Sequence, residues 1–155
     1  MVWQNKLIVY VDMDHTLCDY DSAYSEYQRE YPEVRFPQSI PGFYSGMAPL
    51  PGAIEVYRWL QEQDRLAAFV LTAPSLKNPH SYMEKRLWVE EYLGYDVVNR
   101  LIISPHKDLS RGHYLIDNLT EGKGQERFEG TLIQYGGAEF PNWAAVKQHF
   151  ERLLS

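Results

Sequence analysis

The stretch Lys6–Tyr20, KLIVYVDMDHTLCDY, decides how the chain is read. Leu7 to Val11 is an unbroken apolar run, the pattern of a strand buried on both faces and so of a parallel sheet. It ends at once in Asp12, Met13, Asp14, His15 and Thr16. In open α/β sheets, ligands bind at the carboxyl ends of the strands. Two carboxylates placed there raise each other's pKa unless a cation or hydrogen-bond donors offset them. A hard cation held by carboxylate oxygens meets that need, and Mg²⁺ is the expected ion. A capped turn, with Asp accepting backbone N–H bonds, gives the same pattern, so the rest of the chain must separate the two readings.

Following the chain outward, Ala23, Tyr24, Tyr27 and Tyr31 fall at helical spacing from Asp21 to Glu30, with Pro32 as a stop. Pro37, Pro41, Pro49 and Pro51 then punctuate a segment holding Phe36, Phe43, Tyr44 and Met47. It is too rich in proline for a regular helix or central strand and too aromatic for an idle linker. A small irregular cap inserted at about residues 33–50 is expected. A helix should follow from Pro51 to about Gln63, with Pro51 in its first turn. Leu66 to Leu71 reads as a second buried strand, ending in Thr72. Ser81 with Glu84 three residues on predicts a capping box, and Gly94 a helix end. Leu101–Ser104, Tyr114–Ile116 and Thr131–Tyr135 read as short strands, the middle one running into Asp117 and Asn118. Asn142 should cap a final helix. Strands alternating with helices predict one α/β domain over residues 1–155 around a mainly parallel five-stranded sheet.

Composition narrows the function classes. The 155 residues are enough for a sizeable core, and 45% hydrophobic with 23% charged residues is ordinary for a globular chain. A net charge of −6 with no basic block argues against polymeric nucleic acid as a partner, though not against a small phosphorylated ligand. The single cysteine, Cys18, forms no internal disulfide and reads as a packed residue in a reducing, cytoplasmic setting. No signal peptide is visible, and no run approaches the roughly 20 apolar residues of a membrane span. The aromatic cap could also serve as a homodimer interface.

DMDHT, LTAPS, Lys107 and LIDN, in that order, resemble the four motifs of the haloacid-dehalogenase-like superfamily of phosphohydrolases. PLPGAIE, LTAPS, the YMEKRLWVEEYLG segment and YLIDN are similar to the 5′(3′)-deoxyribonucleotidase family within it, so that the likeness spans Leu7 to about Tyr135. The resemblance implies a Rossmann-like three-layer sandwich and a Mg²⁺-dependent phosphatase acting on nucleoside monophosphates, with deoxyribonucleotides favoured. It implies Asp12 as nucleophile, forming an aspartyl-phosphate, and Asp14 as general acid and base. Asp12, the backbone oxygen of Asp14, Asp117 and Asn118 would serve the metal. Thr72, the Ala73 N–H, Lys85 and Lys107 would hold the phosphate, and Tyr20, Phe43 and Tyr44 would line a base pocket.

Alternatives stand beside these roles. Lys85 could be a solvated helix lysine, and the cap aromatics could form a small core of their own. Asn118 stands where many relatives have a second acid, and His15 where several have glycine; His15 could touch the phosphate or pack the loop. A phosphatase for another small ester, such as a sugar phosphate, uses the same residues. A non-catalytic nucleotide-binding module is the reading from another class.

Overall fold

The computed structural model describes residues 3–155. Five strands, β1 (Leu7–Val11), β2 (Leu66–Thr72), β3 (Leu101–Ile103), β4 (Tyr114–Asp117) and β5 (Thr131–Gln134), form one sheet. All neighbouring pairs are parallel, in the order β3-β2-β1-β4-β5. The chain therefore winds outward from β1 to β3, then crosses back to start β4 on the other side of β1. Such a reversal leaves a crevice at the carboxyl ends of the two strands flanking it. Val11 pairs with Ile116, so Asp12 and Asp117 come one step later on adjacent strands. Asp12 N extends that ladder by donating to Ile116 O at 2.9 Å.

Helices α1 (Tyr20–Glu30), α2 (Ala53–Glu62), α3 (His80–Leu93), α4 (Tyr95–Val98) and α5 (Trp143–Leu154) complete the α/β fold. Side chains alternate across a strand, and the two faces of this sheet differ. Val9, Val11, Ala68, Val70, Ile116 and Ile133 face the main core, where all five helices bury residues. Tyr10, Leu71 and Leu115 face the other way and meet Phe128. The third layer expected from the resemblance is thus built of connections with short 3₁₀ turns, Lys107–Leu109 and Gln125–Arg127, not of long helices.

Two local expectations are corrected. Pro51 lies outside α2, whose N-cap is Gly52 in the left-handed region at φ 79°. Ser81 does not cap α3: that helix begins at His80, and the Ser81 hydroxyl instead bonds Ser75 through both its N (3.0 Å) and its O (3.3 Å). α4 and the 3₁₀ turns are each four residues or fewer, too short to carry a readable pattern. Asn142 does cap α5, its Oδ1 accepting from Ala145 N at 3.0 Å.

Residues 33–50 contain one 3₁₀ turn, Pro37–Ser39, and otherwise irregular chain. Their buried side chains Phe43, Tyr44 and Met47 belong to the main core cluster instead of forming a separate one. The segment is tied down where Trp88 Nε1 donates to Met47 O at 2.8 Å and Asn78 Nδ2 to Gln38 O at 2.9 Å. No helix among the described residues is long and apolar enough to cross a membrane.

Candidate active site

The loop after β1 is shaped by its own backbone. Met13 O accepts from Thr16, Leu17 and Cys18 N–H groups, and Met13 itself is fully buried. With Met13 turned into the core, Asp12 and Asp14 on either side of it project to the opposite side, into a cleft of about 490 Å³. The cleft lies at the carboxyl end of the sheet and is lined by Asp12, Asp14, His15, Tyr20, Tyr44 and Ala73 on one part of its wall, and by Lys107, Asp117 and Asn118 on another.

Lys107, from the 3₁₀ turn before β4, reaches between the two adjacent strand ends. Its Nζ lies 2.8 Å from Asp12 Oδ1 and 2.5 Å from Asp117 Oδ2. Burial works against the Lys107 charge, but Asp12 and Asp117 outweigh it and hold its pKa above the ordinary value. For Asp117, burial and then Asp12 push the carboxyl up to about 6, against the pull of Lys107. One lysine between two buried carboxylates leaves the pair undercompensated. Asp117 is held further by Leu119 N on Oδ1 (2.9 Å) and Gln125 Nε2 on Oδ2 (3.1 Å).

Lys85 is fully buried, its Nζ 2.9 Å from Asp14 Oδ2 and 2.8 Å from Thr72 Oγ1. The reading of Lys85 as a solvated helix lysine is therefore overturned. α3 buries Ser81, Glu84, Lys85, Trp88, Val89 and Leu93, so its inward stripe turns from polar to apolar along the helix. Polar residues on that stripe were the readable signal, masked because the helix has no clean apolar face. Thr72 is also fully buried; its hydroxyl accepts from Lys85 and donates to Ala73 O at 3.4 Å. Asp14 Oδ1 is buried without a hydrogen-bond partner.

Tyr20 and Tyr44 form part of the cleft wall, and burial, followed by Asp14, pushes the Tyr20 phenol up to about 12. The same causes push the Tyr44 phenol up as well, so both stay neutral. Phe43 is set back: fully buried, it meets Tyr20 and Tyr44 edge-on at 5.2 and 5.0 Å, supporting the wall from behind. Cys18 is buried, and burial drives its thiol pKa well up, which suits a packed residue. Sequence reasoning missed Gln38, Ser75, Leu76, Lys77, Lys123 and Gln125, all on the cleft wall. They sit on loops without periodicity, so only the folded chain gathers them.

Hard oxygen donors suit Mg²⁺, and the strand ends supply several. The Asn118 amide nitrogen, in the orientation that satisfies its neighbours, lies 3.2 Å from Asp12 Oδ2 and 3.1 Å from Asp14 O. Those two oxygens therefore converge on the Asn118 amide, with Asp117 on the next strand. No three His, Cys, Asp or Glu side chains cluster as metal ligands among the described residues. Two carboxylates and one carbonyl, with water completing the shell, match the habit of Mg²⁺.

Comparison with known proteins gives the family of the chain. Residues 34–139 match the family described as 5′ nucleotidase, deoxy (Pyrimidine), cytosolic type C protein. The chain is 40% identical over 145 residues to the "Putative 5′(3′)-deoxyribonucleotidase" of Vibrio phage KVP40, covering 92% of this chain and 83% of that protein. It is 29% identical over 147 residues to the human "5′(3′)-deoxyribonucleotidase, cytosolic type", covering 76% and 73%. A Bordetella pertussis relative, again named "Putative 5′(3′)-deoxyribonucleotidase", is 26% identical over 138 residues, covering 72% and 74%. The chain belongs to the 5′ nucleotidase, deoxy (pyrimidine), cytosolic type C family.

Proposed function

We propose that this protein is a phosphoric monoester hydrolase that releases phosphate from deoxyribonucleoside monophosphates in a Mg²⁺-dependent reaction. The observation that carries the reading is the convergence of Asp12, Asp14, Lys107 and Asp117 at the carboxyl ends of β1 and β4, on a cleft walled by Tyr20 and Tyr44, with the buried Lys85 paired to Asp14. A binding module has no need of two carboxylates in a phosphate pocket.

Asp12 and Asp14 divide the work. A carboxylate oxygen of Asp12 attacks phosphorus, forming the aspartyl-phosphate bond while the bond to the leaving nucleoside oxygen breaks. Asp14 gives that oxygen a proton, then takes one from the water that attacks phosphorus and releases inorganic phosphate and Asp12. Its unpartnered Oδ1 is the oxygen free to carry that proton. Lys107, Lys85 and the Ala73 N–H supply positive charge and a donor for the phosphoryl oxygens as charge moves in the transition state. Thr72, already bonded to Lys85, orients that ammonium. The three carboxylates outnumber the two ammonium groups before a phosphate arrives. A Mg²⁺ held by Asp12, the Asp14 carbonyl and Asp117, when bound, would offset that repulsion and polarise a phosphoryl oxygen. Tyr20 and Tyr44 offer aromatic faces on which a base can stack. Residues 33–50 act as the cap that brings Tyr44 to the cleft within one domain.

The test is phosphate release from deoxy- and ribonucleoside monophosphates and from sugar phosphates, with Mg²⁺ and with chelator. Mg²⁺-dependent release favouring deoxynucleotides, abolished in Asp12→Asn, is expected. Release from sugar phosphates alone would keep the chemistry and discard the substrate. Silence on every ester would leave a binding module.

A further inference from the structure

His15 is the one residue of the Asp12–Thr16 loop that lines the cleft without a task in the chemistry above. Its backbone is left-handed at φ 62°. A side chain in that region is strained relative to glycine, and such strain persists where the surroundings impose it and is a pointer to use. The surroundings here are the hydrogen bonds of the loop: His15 N donates to Cys18 O at 3.0 Å, beside the three N–H groups on Met13 O. The loop would therefore take glycine at position 15 with less strain.

The imidazole lies against Tyr20 and beside Asp21. Its ring centroid lies 4.6 Å from that of Tyr20 at an interplanar angle of 33°, and its Nδ1 lies 3.4 Å from Asp21 Oδ1. His15 and Tyr20 also border a second space of about 190 Å³, lined by Cys18, Leu50 and Tyr135 among others. The two rings thus border both the cleft and this smaller pocket. Tyr20 belongs to the base wall in the nucleotide reading, so the ring paired with it borders the same part of the cleft.

We propose that His15 is a specificity-determining residue whose ring, paired with that of Tyr20, extends the aromatic wall against which the nucleotide base packs. This rests on the nucleotide reading above. The ring supplies a stacking face beside that of Tyr20.

The experiment compares wild type with His15→Gly, His15→Asn and His15→Phe. Each is assayed for kcat/KM on a deoxynucleoside monophosphate and on 2-deoxyribose 5-phosphate, which has no base, and for thermal stability. His15→Gly should be at least as stable as wild type, because the backbone strain is relieved, yet its preference for the nucleotide should fall about tenfold, on the scale of one base–aromatic contact. His15→Asn, which tolerates the left-handed backbone but lacks a ring, should lose the same preference. His15→Phe should keep most of it. An unchanged preference in His15→Gly, or a Phe variant no better than Gly, overturns the proposal. A wild type that does not prefer the nucleotide removes the nucleotide reading itself, and this inference with it.

Discussion

Lys85 Nζ, with no exposed surface, lies 2.9 Å from Asp14 Oδ2, so that the middle of α3 supplies a buried cation to a carboxylate at the end of β1. The same ammonium lies 5.0 Å from the centre of the Tyr44 ring. One side chain therefore ties the sheet end, Thr72 and the cap together. Lys85→Met should lower kcat at least a hundredfold. It should also cost about 2–3 kcal/mol of stability, below the full value for a buried pair because Asp14 keeps 25% of its side chain exposed. Denaturant titration together with single-turnover kinetics checks both; an unaltered kcat would remove Lys85 from the site's chemistry.

Tyr44 is nearly buried, and what it exposes faces the cleft. Tyr44→Ala should raise KM for nucleotides more than KM for p-nitrophenyl phosphate, because the base loses a wall that the simple ester uses less. Parallel increases for the two substrates would mean that the cap does not read the base.

The Asp117 carboxyl, raised to about 6 by burial and Asp12, gives a signed pH prediction. A carboxyl with a raised folded-state pKa destabilises the fold once it must ionise. The penalty is absent below the unfolded value, grows as pH rises from about 4, and is complete above about 6. The gap corresponds to on the order of 3 kcal/mol. In chelator, Asp117→Asn should therefore be more stable than wild type at pH 7, with the difference closing by pH 4, while its Mg²⁺-dependent turnover is lost. Denaturation curves at both pH values measure the difference; equal stability at pH 7 would mean that Lys107 fully compensates Asp117.

Gly124 sits at φ 91° where the loop after β4 meets the Lys107 turn, and Lys107 N donates to Lys123 O at 2.8 Å across that contact. A Cβ at Gly124 would collide with the Asp108 side chain and come within 2.8 Å of Asp108 N. Gly124→Ala should cost about 1–3 kcal/mol through backbone strain alone. It should also lower kcat by shifting Lys107 between its two carboxylates. A variant with wild-type kcat and melting temperature would show that the two loops are not interlocked.

The order of strands and helices was legible because Leu7–Val11 and Leu66–Thr72 are apolar runs bounded by polar stops, and Asn142 and Gly94 punctuate their helices. Asp12, Asp14 and Asp117 were readable as strand-end residues by the same token. Local pattern misplaced Ser81 and Pro51, because a loop hydrogen bond and a left-handed Gly52 overrode the usual capping preferences.

The sequence by itself determined an α/β chain with acidic strand ends, since burial periodicity is written residue by residue. Only the tertiary structure decided that Lys85 is buried, that Lys107 bridges Asp12 and Asp117, that Phe43 stands behind the wall and that His15 pairs with Tyr20. Each of these is a contact between segments distant in sequence or a turn of a side chain about its backbone. Those depend on strand register and loop closure, and no local pattern encodes them.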